Sequence, residues 1–325
     1  MGIRETMGKA GFTGAIAAAI LMSATAFLAG APVPLQGGSG VCLPSPDAWN
    51  ILTPFSWALN LLLMLGIVGS VYILNKNYAF VPGNDMALPG LLAIMSMSCP
   101  WVAGPLNSST ILLAANVACL SIVFSCFKQR NATQELFAIA TILSLGSMVQ
   151  YAFIFMIPAY IAIAATLKCF HFKEAIAFLL GLIAPYWVGI GLGIIPLTAF
   201  SMPAISGLFP GAEAPQSILA GLTACAVTAL GALVAGLYNS VKLYAGNSQR
   251  RLYNVSINIL GVLCAFCMVI DFGNMPAYIG TLYLAAAVQF ANIFALHNVR
   301  RGSWWLAGIC TLYAAAFVLT EIQFF

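Results

Sequence analysis

Long apolar stretches separated by short polar ones run the length of the chain. The first, from Gly11 to about Ala31, follows Arg4 and Lys9, and others cover about 51–74, 87–103, 109–127, 136–167, 175–197, 216–238, 253–270, 275–295 and 304–323. About 20 apolar residues in a helix rising 1.5 Å per residue match a hydrocarbon core of about 30 Å, so each stretch predicts one membrane-crossing helix. The stretch 136–167 is the exception, because as one helix it would run about 48 Å. It predicts either a single strongly tilted helix or two short ones divided near 146–150, forming a broken or re-entrant hairpin of the kind that must be shielded by neighbouring helices.

The first stretch ends in small residues (LAGAP), which is also how a signal peptide ends. Its length favours a retained first span. The polar segment 32–50 (PVPLQGGSGVCLPSPDAWN) is rich in Gly and Pro and predicts a loop outside the membrane.

Composition removes the soluble alternatives. Of 325 residues, 62% are apolar and 6% charged, where a soluble domain carries about 25% charged residues. The expectation is an all-α, polytopic helical bundle forming a single integral membrane domain over 1–325. The net charge of +4 is scattered between apolar runs, so nucleic acid is not an expected partner. Membrane lipids are.

Charge also sets the topology, since Lys and Arg collect in cytoplasmic loops. With 136–167 divided, the chain has eleven segments, and all 12 basic residues fall on one face. The opposite face then carries Asp47, Glu213, Asp271 and Glu321. Left undivided, with ten segments, the chain sends its last seven basic residues, from Lys168 onward, across to that face. The expectation is therefore eleven segments in a bacterial inner membrane, amino terminus cytoplasmic.

Chemistry is sparse. No ionisable side chain lies at mid-span, where ion-coupled transporters place them. The intramembrane polar residues are the amides Asn60, Asn116, Gln150, Asn258, Gln289 and Asn292, each expected to hydrogen-bond a neighbouring helix. Cys264 and Cys267 form a C-x-x-C inside an apolar run and read as core packing. Gly189, Gly191 and Gly193 (VGIGLGIIP) read as close helix packing, and Trp49, Trp101, Tyr278 and Trp305 as interfacial anchors. Neither a metal nor a cofactor is expected.

Outside the membrane, Asp47 beside Trp49 is the candidate general base, with Glu213 (FPGAEAP) and Asp271 (DFGNMP) as further acidic candidates. The plainer expectations are a helix cap for Asp47 and solvated turns for the other two. Inside, Lys128, Arg130, Lys168, Lys173, Arg250, Arg251, Arg300 and Arg301 are candidates for anionic lipid headgroups.

Three stretches carry a resemblance: LNKNYAFVPGNDMALPGLLA, QELFAIATILSLGSMVQYAFIFMIPAYIAI and FHFKEAIAFLLGLIAPYW. They show an acidic residue before a Gly-containing helix, a short break, a Pro-containing helix, and an aromatic-basic-Glu turn. Over about 74–196 the chain resembles a family of uncharacterised multi-span membrane proteins of Bacteroidota, a domain of unknown function. Lys173 and Glu174 match that family's turn, and His171 stands where an Asn is expected. The resemblance implies architecture and no activity. A looser likeness joins ILSLGSMVQYAFIFMIPAYIAI to the helical hairpin of polyprenyl-phosphate-dependent sugar transferases, which also place an acidic residue in the first outside loop. It implies a polyprenyl phosphate partner, with Asp47 deprotonating an acceptor hydroxyl. Against it, no outside Lys or Arg is available for the departing phosphate. The competing expectations are a scaffold or carrier in envelope biogenesis, and a transporter of a lipid or neutral solute. The sequence leaves enzyme and non-enzyme open.

Overall fold

The computed structural model describes residues 3–28, 40–49, 51–82, 86–127, 129, 131–196, 200, 216–243, 248–296 and 299–322. These residues form α-helices and short 3-10 turns, with no strand among them. The helices are α1 (Ile3–Leu28), α2 (Thr53–Tyr78), α3 (Ala87–Met97), α4 (Pro100–Ala103), α5 (Ser108–Ser125) and α6 (Thr133–Val149). They continue as α7 (Ala152–Thr166), α8 (Phe172–Gly191), α9 (Gln216–Leu243), α10 (Ser248–Ile270), α11 (Met275–Leu296) and α12 (Val299–Ile322). Six stretches of helix are long and apolar enough to cross a membrane: Thr53–Tyr78, Ser108–Ser125, Phe172–Gly191, Thr223–Lys242, Ser248–Ile270 and Phe272–Leu296.

Hydrogen bonds between distant segments define two ends. At one, which holds Asp47 and Asp271, the backbone of 41–43 joins the end of α6, Asp47 joins the start of α5, and Gln150 joins Asn274 in the α10–α11 turn. At the other, Arg250 Nε donates to Ala79 O at 2.8 Å and Tyr253 OH to Phe124 O at 3.1 Å, tying the start of α10 to the ends of α2 and α5. We call these the acidic and basic ends.

The centre of the bundle is α11, buried along nearly its whole length and packed against α3, α5, α9, α10 and α12. Several of its polar groups are met by side chains of neighbouring helices. Asn116 Nδ2 donates to Thr281 Oγ1 at 2.8 Å, Tyr160 OH donates to Asn116 Oδ1 at 2.9 Å, and Gly280 N donates to Ser109 Oγ at 2.9 Å. The outer faces are apolar instead, with Leu62, Trp187, Leu237, Val241 and Phe266 exposed. That inversion suits a surface solvated by lipid tails.

The stretch 87–103 is not one helix, contrary to its expected single span. Pro100 lacks an N–H and pushes the residue before it out of the helical region, and Cys99 is extended at φ −97, ψ 114. The break frees backbone groups deep in the bundle, and side chains take them up. Asn60 Nδ2 donates to Val102 O at 2.8 Å and Gly104 O at 2.9 Å, Ser23 Oγ donates to Ala103 O at 3.3 Å, and Ser56 Oγ accepts from Leu106 N at 3.0 Å. Irregular backbone is tolerated at membrane depth only when it is satisfied in this way.

The stretch 136–167 is divided at Gln150, whose backbone is extended between α6 and α7. At 1.5 Å per residue the two helices measure about 25 Å and about 22 Å, both short of the roughly 30 Å core.

Two smaller expectations are corrected. Of the Gly189, Gly191, Gly193 run, Gly193 takes φ +70, with Gly193 N bonded to Ile190 O and Ile194 N to Gly189 O at 3.0 Å each. This is a Schellman termination of α8, which needs a residue in the left-handed region, and among the described residues nothing is packed on Gly191 or Gly193. Trp101 and Tyr278 are buried rather than interfacial, whereas Trp49 and Trp305 are exposed.

Candidate functional site

The site lies at the acidic end, where the first loop meets α5 and the α6–α7 break. The last carbonyls of α6 have no partners within the helix, and the loop supplies them. Val41 N donates to Ser147 O at 3.0 Å, and Cys42 N and Leu43 N donate to Met148 O at 3.3 and 2.9 Å. Gly40 makes this approach possible, because a Cβ there would run into the Met148 carbonyl.

Further along the same loop, the turn Pro46–Ala48 presents Asp47 to the start of α5. Its carboxylate accepts from Ser108 N at 3.3 Å and from Ser108 Oγ. A negative charge at this position is favoured by the unpaired N–H groups and dipole of a helix N-terminus. The N-cap itself is Asn107, whose Oδ1 accepts from Thr110 N at 2.9 Å and Thr110 Oγ1 at 3.0 Å. The Asn107 Nδ2 meanwhile donates to Val102 O at 3.2 Å and Pro105 O at 3.0 Å, fastening α4 to α5.

Between these parts is a partly open cavity of about 280 Å³. Its walls come from one face of α5 (Ser108, Ile111, Ala115) and one face of α6 (Ile142, Leu145, Gly146, Val149), closed by Pro46, Trp49, Gln150 and Phe153. Seven residues separate Ser108 from Ala115, so the cavity follows α5 for about 10 Å from the acidic end. Among the described residues no ionisable side chain lines it. Gln150 is nearly fully buried, and its Nε2 donates to Asn274 Oδ1 at 3.2 Å. Its Oε1 has no partner among the described residues, leaving a buried acceptor on a residue of the cavity wall.

Asp271 is not in a solvated turn, as the plainer expectation had it. It is 2% exposed and accepts from Asn274 Nδ2 at 2.9 and 3.0 Å and from Tyr278 OH at 3.0 Å. Burial pushes its carboxyl above the ordinary value, opposed by those hydrogen bonds. A folded-state value above the unfolded one gives stability that is complete below the unfolded value and lost as pH rises through the folded one. Stability measured at about pH 4 and about pH 7 should therefore fall less between the two in Asp271→Asn than in the parent, as read by thermal unfolding in detergent. An identical fall in both proteins would contradict this.

Asp47 and Asp271 do not touch each other; each lies behind a residue of the cavity wall, Asp47 behind Ser108 and Asp271 behind Asn274 and Gln150. Glu213, Lys128 and Arg130 lie outside the described residues, as do the side chains of Arg300 and Arg301. Lys168 and Lys173 are exposed at the basic end. Lys168 ends α7 in the left-handed region at φ 59. Arg250 and Arg251 are half-buried at that end, with Arg250 bonded to Ala79 O. Ser108 and Asn107 went unmarked in the sequence; the only signal was a polar cluster, NSST, opening an apolar run.

No family model matches the chain. No curated protein matches it either. Among the described residues no group of three or more His, Cys, Asp or Glu side chains is arranged to hold a metal.

Proposed function

We propose that the protein is a carrier, crossing a bacterial inner membrane eleven times, that holds a lipid or similar amphiphile with an apolar chain and a neutral, hydrogen-bond-donating head. The observation that carries this reading is the cavity between α5 and α6. Its surface is apolar almost throughout, with Ser108 and Gln150 as the polar residues on its wall, and among the described residues no ionisable side chain lines it. An apolar chain fits the walls of Ile111, Ala115, Ile142 and Leu145, and a head hydroxyl or amide would donate to Gln150 Oε1. Among the described residues no cation lines the cavity to neutralise a phosphate, which favours a neutral head. The distribution of the 12 basic residues supports placing the cavity on the extracytoplasmic side, with the amino terminus cytoplasmic.

The sugar-transferase alternative draws less support. Both Asp47 oxygens are engaged by Ser108, and Asp47 does not itself line the cavity. On the carrier reading, Asp47→Asn leaves envelope glycans unchanged.

The rim contact is open to a direct test. Losing one neutral hydrogen bond costs about 0.5–1.5 kcal/mol, or roughly two- to tenfold in affinity. Gln150→Leu should lower the lipid co-purifying with the protein by that factor, while Gln150→Glu, which keeps an acceptor oxygen, should retain more. Equal lipid content in all three proteins would place the head group elsewhere.

A further inference from the structure

The buried carboxylate at the acidic end reaches the cavity wall through one amide. Asp271, in the turn between α10 and α11, accepts from Asn274 Nδ2 at 2.9 and 3.0 Å and from Tyr278 OH at 3.0 Å. Asn274 Oδ1 in turn accepts from Gln150 Nε2 at 3.2 Å, and Gln150 lines the cavity between α5 and α6. All four side chains are buried.

The direction of this relay is decided at the carboxylate. An ionised carboxylate only accepts, whereas an amide donates at one end and accepts at the other. Asn274 must therefore turn its nitrogen to Asp271, which leaves its oxygen toward Gln150. Gln150 answers with its nitrogen, so its oxygen is the end that no described residue holds. Protonation of Asp271 lifts the constraint, because a carboxyl O–H donates. Asn274 is then free to accept from Asp271 and donate to Gln150 Oε1, which leaves the Gln150 N–H uncommitted.

We infer that Asp271 is a positioning residue for the cavity: its carboxylate, acting through Asn274, fixes Gln150 as a hydrogen-bond acceptor and so selects an occupant whose head donates. This role rests on the carrier reading and supplies the physical reason for its donating head. Among the described residues, the titratable groups coupled electrostatically to Asp271 are Cys267 on α10 and Tyr278 on α11, and thiols and phenols ordinarily titrate above pH 7. The α6–α7 break meets Asp271 through Asn274 with the neutral amide of Gln150. Burial holds the Asp271 carboxyl above its ordinary value, so it is mostly protonated at about pH 4 and gives up its proton on the way to about pH 7.

The test compares probes that differ by a single hydrogen-bond donor, dioleoylglycerol and its methyl ether, titrated onto the full chain in detergent at about pH 7 and about pH 4. The hydroxyl donates to Gln150 Oε1 and the ether does not. The parent at neutral pH should therefore bind the alcohol roughly two- to tenfold more tightly, the equivalent of one neutral hydrogen bond. That ratio should fall toward unity in the parent at acid pH, and in Asp271→Asn at either pH, because the substituted amide, like a protonated carboxyl, both donates and accepts. Tyr278→Phe removes a donor from Asp271 but leaves the carboxylate only accepting, and should keep the parent's ratio at neutral pH. Equal affinity for the two probes in the parent at neutral pH, a parent ratio that pH does not move, or a parent-like ratio in Asp271→Asn overturns the positioning role and leaves the carrier reading standing. A ratio lost in Tyr278→Phe as well also overturns it, since that would mark a general loosening of the turn. Binding of neither probe to the parent overturns the carrier reading and the positioning role with it.

Discussion

Gly40→Val is expected to release the first loop from the end of α6 and to expose Cys42. A side chain at 40 has no room beside the Met148 carbonyl, so the segment must lift and give up the N–H bonds from Val41, Cys42 and Leu43. At about 0.5–1.5 kcal/mol each, the three bonds amount to roughly 2–4 kcal/mol, enough to raise the open population at least tenfold. Cys42 reports the change because it is half-buried and burial holds its thiol above the ordinary value. Among the other cysteines only Cys310 is not fully buried. In a Cys310→Ser background, a membrane-impermeant maleimide applied to spheroplasts should label Cys42 at least tenfold faster in Gly40→Val. Equal rates would mean that the loop is not held by α6. No labelling in either protein would overturn the placing of this loop outside the membrane.

Asn107→Ala should cost the fold about 2–5 kcal/mol, from two losses that add. Removing an N-cap costs about 0.5–2 kcal/mol, and Oδ1 here holds both Thr110 N and Thr110 Oγ1. Removing Nδ2 takes a donor from Val102 O and Pro105 O, and a buried group left unpaired costs about 1–3 kcal/mol. Val102 O keeps Asn60 as a second donor, so the larger share of that second loss falls on Pro105 O. Unfolding of the full chain in mixed detergents gives the total. Asn107→Asp, which keeps the cap oxygen and loses the donor, should fall between the parent and the alanine variant. A loss below about 1 kcal/mol for alanine would show that α4 is held by other contacts.

The helices were legible because their signal is length and apolarity, which do not depend on what packs against what. Gln150 could be placed near a break because 136–167 is too long for the hydrocarbon core. The break at Cys99 was not, since 87–103 has an ordinary span length, although Pro100 marked it. What decided that break was the supply of donors from Asn60, Asn107 and Ser23, and their proximity is a tertiary fact. The amide positions Asn60, Asn116, Gln150, Gln289 and Asn292 were visible as polar residues in apolar runs. Their partners were not, because Asn116 meets Thr281 and Gln150 meets Asn274 across more than a hundred residues. Asp271 was misjudged for the same reason: DFGNMP reads as a solvated turn until Tyr278, one helical turn into α11, is seen closing over it. Asp47 was located in the sequence, but its partner Ser108 and the cavity beyond were not.

The carrier reading turns on whether the α5–α6 cavity is where an amphiphile sits. Ala115 lines that cavity two turns below its mouth, whereas Ala118 on the same helix is exposed on the outer surface. The deciding measurement is native mass spectrometry of the parent, Ala115→Trp and Ala118→Trp proteins purified in parallel, with bound lipid counted per chain. The carrier reading predicts one tightly held, neutral-headed amphiphile on the parent and on Ala118→Trp, and its loss from Ala115→Trp at unchanged melting temperature. Retention of the same lipid by all three, or bulk phospholipid alone on the parent, would contradict it.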